Sequence, residues 1–254
     1  MYWIKDFKGH SGCQVQLFND NDCYTVIKSG NRNLKKSAEI LTKLQAAGFK
    51  IPTIYKVGED FIHMQYLNGV DIKTYLENAT IDDLKKLFVF LDRYIDFLSN
   101  YPVENISNKI QNKLIEIKNK FDVECFVFTL DDLFNKLPNT GRVGLIHGDF
   151  TLDNIIFYED DFYFIDSNPT ELNCAEFDIV KIRQDLDCLW FIRNQKDKIL
   201  FKIVCDKLSN DLKNKWPMMN NDYILIFMLL RIMPYCVDEM TKIFLITEIN
   251  KLWR

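Results

Sequence analysis

The stretch from Leu145 to Asp166, LIHGDFTLDNIIFYEDDFYFID, constrains this chain more than any other. His147 and Asp149 stand two apart, Asn154 lies five beyond that aspartate, and Asp166 twelve beyond the asparagine. Asn154-Ile-Ile-Phe-Tyr, the cluster Glu-Asp-Asp and Phe-Tyr-Phe-Ile-Asp166 read as two short strands around an acidic turn. An antiparallel hairpin brings its first and last residues to one end, so Asn154 and Asp166 are predicted close enough to share an ion. Oxygen donors of this kind suit a hard cation such as Mg2+. Taken singly, each residue reads as an ordinary loop histidine or turn acid. The ordered set does not.

The same order, H-x-D, then Asn five residues on, then a second Asp, occurs in the catalytic segment of protein kinases. Here Gly148 replaces the usual arginine, and Ser167-Asn168 replaces Phe-Gly. H-G-D-x-x-x-x-N followed by Ile-Asp resembles the aminoglycoside phosphotransferase and choline kinase superfamily, which phosphorylates small molecules. The resemblance implies an α+β, bilobal protein-kinase-like fold. A small antiparallel β-sheet lobe, 1–67, would bind nucleotide, and a mainly helical lobe, 68–254, would carry catalysis and substrate. It also implies ATP as donor, with GTP an alternative, and Mg2+. Phosphoryl transfer leaves a protein little covalent work: it orients the acceptor hydroxyl, holds the cation and neutralises charge. On that pattern Asp149 is the base, His147 organises the catalytic loop, and Asn154 and Asp166 are metal ligands.

The first seventy residues offer a nucleotide lobe. Lys8-Gly9-His10-Ser11-Gly12 is a small flexible loop before the alternating strand Gln14–Phe18, and Cys23–Lys28 returns as the next strand. Gly9, Ser11 and Gly12 would let backbone N–H groups approach phosphates. Lys28 closes a Val-Ile-Lys strand, where kinases place the lysine that pairs with phosphates. A helix over 34–47 follows, with Leu34, Ala38, Leu41 and Leu44 on one face and Gly48 as its stop. Glu39 is its only acid and the candidate partner for Lys28. Alignment on Leu41, Leu44 and Pro52 instead puts the family's glutamate position at Ser37. Two residues along a helix is a rotation of about 200°, so the two positions are not interchangeable. Met64-Gln-Tyr-Leu-Asn-Gly69 resembles the family's interlobe linker, which assigns Gln65, Tyr66 and Leu67 to the adenine edge.

Beyond Gly69 the pattern turns helical, with helices expected over 81–99, 106–120 and 130–136, then near 175–192, 196–214, 220–235 and 238–252. Asp178 is expected to cap a helix or buttress the catalytic loop. With 254 residues, 48% hydrophobic and 14% aromatic, the chain can bury a large core. Net charge −4 argues against a nucleic-acid partner, which demands a basic face. No apolar run reaches the 18 residues or so that span a bilayer, and the start lacks a signal-peptide layout. A cytoplasmic chain with no membrane partner is expected, with seven scattered reduced cysteines; oligomeric state is not legible.

The expected activity is therefore transfer of phosphate from ATP to a hydroxyl of a small molecule. A sugar or an amino alcohol such as choline or ethanolamine is the expected acceptor, with surface-glycan metabolism as a family-level setting. An aminoglycoside acceptor would want acids, for which Glu171, Glu176, Asp185 and Asp187 are candidates. Choline would want aromatic faces, for which Trp190, Phe191, Trp216 and Tyr235 are candidates. The alternative from another class is a nucleotide-binding pseudokinase without transfer.

Overall fold

The computed structural model describes residues 1–7, 12–20, 23–30 and 33–253. In chain order the first elements are β1 (Tyr2–Phe7), β2 (Gln14–Asp20), β3 (Cys23–Ser29), α1 (Leu34–Ala46), β4 (Ile54–Val57), β5 (Phe61–Gln65), β6 (Val70–Asp71) and α2 (Ile72–Asn78). Next come α3 (Ile81–Ser99), β7 (Val103–Asn105), α4 (Ser107–Lys120), α5 (Leu130–Lys136), β8 (Thr140–Arg142), β9 (Ile155–Tyr158) and β10 (Asp161–Phe164). Four helices follow: α6 (Ala175–Leu186), α7 (Ile199–Lys215), α8 (Asp222–Leu230) and α9 (Glu239–Leu252).

The chain divides into two compact units. One comprises Met1–Tyr75 with His147–Asp149 and Asp153–Pro169, the other Leu76–Ile146 with Phe150–Leu152 and Thr170–Arg254. This division differs from a boundary at residue 67, because the hairpin β9–β10 groups with the N-terminal sheet. The reason is local. Phe164 N–H donates to the Lys50 carbonyl at 2.9 Å, Lys50 bridges Tyr163 in parallel, and the Phe49 and Phe164 rings meet at 5.5 Å.

The first unit is built on a five-stranded antiparallel sheet in the order β1-β2-β3-β5-β4. Lys28 sits on β3, opposite Val15 of β2 and Ile62 of β5. Helix α1 forms because Leu34, Ala38, Leu41 and Leu44 recur at helical spacing and the Asn33 side chain accepts Lys36 N–H. It ends before Gly48, whose φ of 91° a β-carbon would resist. Leu34 and Ala38 pack with Cys13 and Ile62 in a small core. Full burial of a leucine is worth about 1.5–3 kcal/mol, which fixes the face of α1 that looks inward.

The second unit is mostly helical. Its core holds all seven residues from Ile224 to Leu230 of α8, together with Phe177 and Val180 of α6 and Leu245 and Ile249 of α9. Helices α3 and α5 each start with a capping box, Thr80 with Asp83 and Thr129 with Asp132. Two stretches expected as continuous helices are interrupted. The helix near 175–192 ends at Leu186, because Leu189 takes a left-handed φ of 54° and a three-residue 3-10 turn, Trp190–Ile192, follows. The helix near 220–235 is likewise broken after Leu230, with a 3-10 turn at Met233–Tyr235 around Pro234. The short pair β7–β8, which lacks a clear alternation, was not expected at all. Among the described residues no helix is long and apolar enough to cross a membrane.

Candidate active site

The hairpin β9–β10 pairs Tyr158 with Asp161 and Ile155 with Phe164. Glu159 and Asp160 form the two-residue turn, both at positive φ (48° and 62°), the primed geometry that matches strand twist. The ladder continues one step further, with Ile165 N–H donating to the Asn154 carbonyl at 3.0 Å. Asn154 and Asp166 therefore emerge at the same end of adjacent strands, as the spacing predicts. The Asn154 amide donates to the Asp149 carbonyl at 2.8 Å and to its carboxylate at 3.1 Å. With the amide nitrogen turned to Asp149, the side-chain oxygen is the ligand-type atom Asn154 can present to a cation.

His147 is fully buried. Its Nε2 donates to the Ile165 carbonyl at 2.8 Å, since a carbonyl only accepts, and its own carbonyl receives Asn168 N–H at 2.9 Å. The ring also lies 5.3 Å from that of Phe164. His147 thus ties the start of the H-G-D loop to the segment between β10 and Asp166. Gly148 has φ 80°, a conformation in which the arginine usual in protein kinases would be strained.

Lys28 is buried, and its ammonium pairs with the Asp166 carboxylate, whose side chain is 34% exposed. Asp166 itself has φ 55°, uncommon for a residue with a side chain. The expected partner Glu39 does not take that place. It lies on the exposed face of α1, while Ser37 occupies the buried face with Leu34 and Leu41. The 200° offset read from the sequence is the physical reason. Ser37 instead donates its hydroxyl to the Ser167 carbonyl at 2.9 Å, and Ser167 returns a bond to the Ser37 carbonyl at 2.8 Å.

The linker candidates follow β5. Gln65 N–H donates to the Thr53 carbonyl at 2.8 Å and Tyr66 N–H to the Tyr24 carbonyl at 3.2 Å, while Leu67 is buried. The Tyr66 ring stacks on Phe7 at 6.0 Å. Gly12 is exposed at φ 73°, with open space where a β-carbon would stand. Gly9 and Ser11 lie outside the described residues.

In the second unit, two acids of α6 accept the backbone N–H groups of Phe150 and Leu152. Asp178 is not the helix cap, since Cys174 occupies that position; it accepts Tyr94 O–H at 2.7 Å and Phe150 N–H at 3.4 Å. Asp185, two turns further along α6 and fully buried, accepts Leu152 N–H at 2.6 Å and Phe191 N–H at 3.1 Å. The sequence singles out Asp185 only as one of four acids that could line an acidic acceptor pocket. Its i+7 spacing from Asp178, which puts both on one helix face, was the signal that could have found it. The bond to Phe191 also explains why the helix stops where it does.

Two other acids are engaged internally. Glu176 pairs with Arg142 at 2.7 Å and accepts Arg142 N–H at 2.9 Å. Asp187 meets Arg183 at 2.7 Å, Lys213 at 2.8 Å and the Ser209 hydroxyl. Burial alone would raise the Asp187 carboxyl, but these partners hold it below the usual value. The four aromatic residues are dispersed over separate partners. Trp190 carries the Arg193 guanidinium at 4.0 Å, Phe191 meets Phe201, Trp216 donates to Asp92 at 2.8 Å, and Tyr235 lies under Lys120. A cavity of about 710 Å³ in the second unit, between α4 and the 123–134 segment, contains none of the candidate residues.

Among the described residues no cluster of three or more His, Cys, Asp or Glu side chains could cage a metal. The donor set Asn154 and Asp166 nonetheless fits Mg2+, which takes hard oxygen ligands and keeps most of its waters or phosphate oxygens.

The five-stranded antiparallel sheet, α1 and the H-G-D hairpin together define a protein-kinase-like fold. No family model matches the chain, and no curated protein matches it by sequence. Solved structures do. A protein assigned as a fructosamine-3-kinase from Haemophilus somnus 129PT aligns with 100% of this chain and 92% of its own, at TM-score 0.64 and 13% identity. Aminoglycoside phosphotransferase APH(4)-Ia aligns over 100% and 94%, at TM-score 0.66 and 10% identity. A glucosamine kinase crystallised with glucosamine, ADP and inorganic phosphate aligns over 95% and 79%, at TM-score 0.55 and 11% identity. At such identities the likeness establishes the fold, and the chemistry must be argued from the residues.

Proposed function

We propose that this chain is an ATP- and Mg2+-dependent kinase of a small-molecule hydroxyl. The observation that carries the reading is the assembly of Lys28, His147, Asp149, Asn154 and Asp166 within one compact unit. Bound Mg2+ would supply charge neutralisation across the phosphates, held by Asn154 and Asp166. Asp149, half-buried and oriented by the Asn154 amide, accepts the proton of the acceptor hydroxyl. Lys28 is the phosphate clamp, and the linker backbone at Leu67, past Gln65 and Tyr66 whose N–H groups are bonded to Thr53 and Tyr24, meets the adenine edge. His147 acts through position, by tying the loop to the strand before Asp166. Fold neighbours support the class. A thermostable variant of APH(4)-Ia was solved as a ternary complex with ADP and hygromycin B, and the glucosamine kinase with its sugar and ADP.

For the acceptor, a sugar or amino sugar is the better reading. Glu176, Asp185 and Asp187 are committed to internal partners, which removes most of the acidic pocket a polycationic aminoglycoside would want. The dispersed partners of Trp190, Trp216 and Tyr235 speak against a choline cage. Surface-glycan metabolism stays a setting suggested by resemblance. A second reading, nucleotide binding without transfer, is favoured by one observation: Glu39 is exposed and does not hold Lys28.

The test is coupled ADP release with Mg-ATP over hexoses, heptoses, amino sugars, choline, ethanolamine and aminoglycosides, with Asp149→Asn as the blank. Turnover on one acceptor, lost in the variant, is the expected result. Mg-ATP binding with silence across every acceptor would favour the second reading.

A further inference from the structure

The buried face of α1 carries a hydroxyl where a kinase of this pattern would carry a carboxylate, and that hydroxyl has a definite partner. Ser37 is 6% exposed and Ser167 is fully buried, 130 residues apart in sequence, and each donates its hydroxyl to the other's backbone carbonyl. Two buried hydroxyls engaged in this reciprocal way are satisfied without any charge. Ser167 directly follows Asp166. The residue before Asp166 is held by His147 and Asn154, through Ile165 O and Ile165 N, and Asn168 N–H is held by the His147 carbonyl. Asp166 is therefore the left-handed residue in a segment pinned on both sides, with Ser37 supplying the pin nearest to it on the C-terminal side.

We infer that Ser37 is a positioning residue for the Asp166 carboxylate, and that α1 is coupled through the Ser37–Ser167 pair to the cation ligand rather than to the lysine. This rests on the reading of Asp166 as the cation-holding group. It accounts for two observations at once. Glu39 stands on the exposed face of α1, and Lys28 pairs with Asp166 instead of with an acid of α1. Rotation of the pinned segment would swing Asp166 away from the end of β9 where Asn154 sits, so loss of the pin weakens the two-oxygen donor set without touching the adenine contacts.

The experiment measures ADP affinity by calorimetry with and without Mg2+ for wild type, Ser37→Ala, Ser37→Thr and Ser167→Ala, with Asp166→Ala as the reference. Ser37→Ala should weaken Mg-ADP binding about tenfold, the scale of one or two buried hydrogen bonds, while metal-free ADP affinity stays the same. Ser167→Ala should shift it in the same sense, and Ser37→Thr, which keeps the hydroxyl, should recover most of the loss. An equal loss with and without Mg2+, or no loss in either serine variant, overturns the positioning role. If Asp166→Ala leaves the Mg2+ dependence intact, the reading of Asp166 fails and the inference goes with it. Melting temperatures of the apo variants separate a folding defect from a change in cation-dependent affinity, and a variant that melts early with unchanged Mg2+ dependence also counts against the role.

Discussion

The two compact units treat buried charge in opposite ways. In the first, one ammonium, Lys28, meets one carboxylate, Asp166, and that carboxylate is still a third exposed. In the second, Arg183 is 3% exposed in its side chain and contacts Asp187 and Asp222, while Asp187 also takes Lys213 and the Ser209 hydroxyl. On the proposed function the first arrangement exchanges partners, a phosphate claiming the lysine and a cation the carboxylate. The second is a network centred on two buried charges: Arg183 answers both Asp187 and Asp222, and Asp187 answers Arg183, Lys213 and the Ser209 hydroxyl, so an exchange at either centre would strand a buried group. A buried ion pair is weak evidence of net stability, but breaking one is costly. On that proposal the same chemistry serves reactivity in one unit and rigidity in the other.

The largest effect that would sharpen the contrast is Asp149→Asn. Transfer should fall about a thousandfold, the scale of a lost general base, with no change in the melting temperature, as followed by coupled ADP release and calorimetry. Asp187→Asn should do the reverse, costing about 3 kcal/mol of folding stability at neutral pH, measured by urea titration. Its carboxyl is held below the ordinary aspartate value of about 3.8 in the folded state. The stabilisation is therefore complete above that value and is lost as pH falls through the lower folded value. The gap between wild type and variant should close in that acid range, and a gap constant down to the acid limit would show that Asp187 is not a charged anchor. Lys28→Met should weaken ADP about tenfold, about 1.4 kcal/mol, and leave urea stability nearly untouched. A large stability loss there would erase the distinction between the units. Glu39→Ala should be smallest, within about 0.5 kcal/mol in stability and silent in nucleotide affinity.

Much of the site is legible along the chain because its spacing is local. His147, Asp149, Asn154 and Asp166 lie on one loop and one hairpin, where strand geometry and the Glu159-Asp160 turn alone decide which residues share an end. Elements with strong periodicity, such as α1 and α3, are legible for the same reason. The exposed position of Glu39 also follows from helix rotation once Leu34, Leu41 and Leu44 are placed inward.

What tertiary structure decided are the partners of buried polar groups. Nothing local says that Ser37 meets Ser167, that Asp185 holds Leu152 and Phe191, or that α6 must stop at Leu186 to let it do so. A buried carboxylate or hydroxyl must find donors or acceptors wherever the fold supplies them, and those come from residues six to 130 positions away. The sequence by itself determined the hairpin, the order of chemical groups upon it and the inward faces of the regular helices. The packing determined which side chains hold that chemistry in place, because hydrogen-bond satisfaction in the interior is a property of the assembled chain.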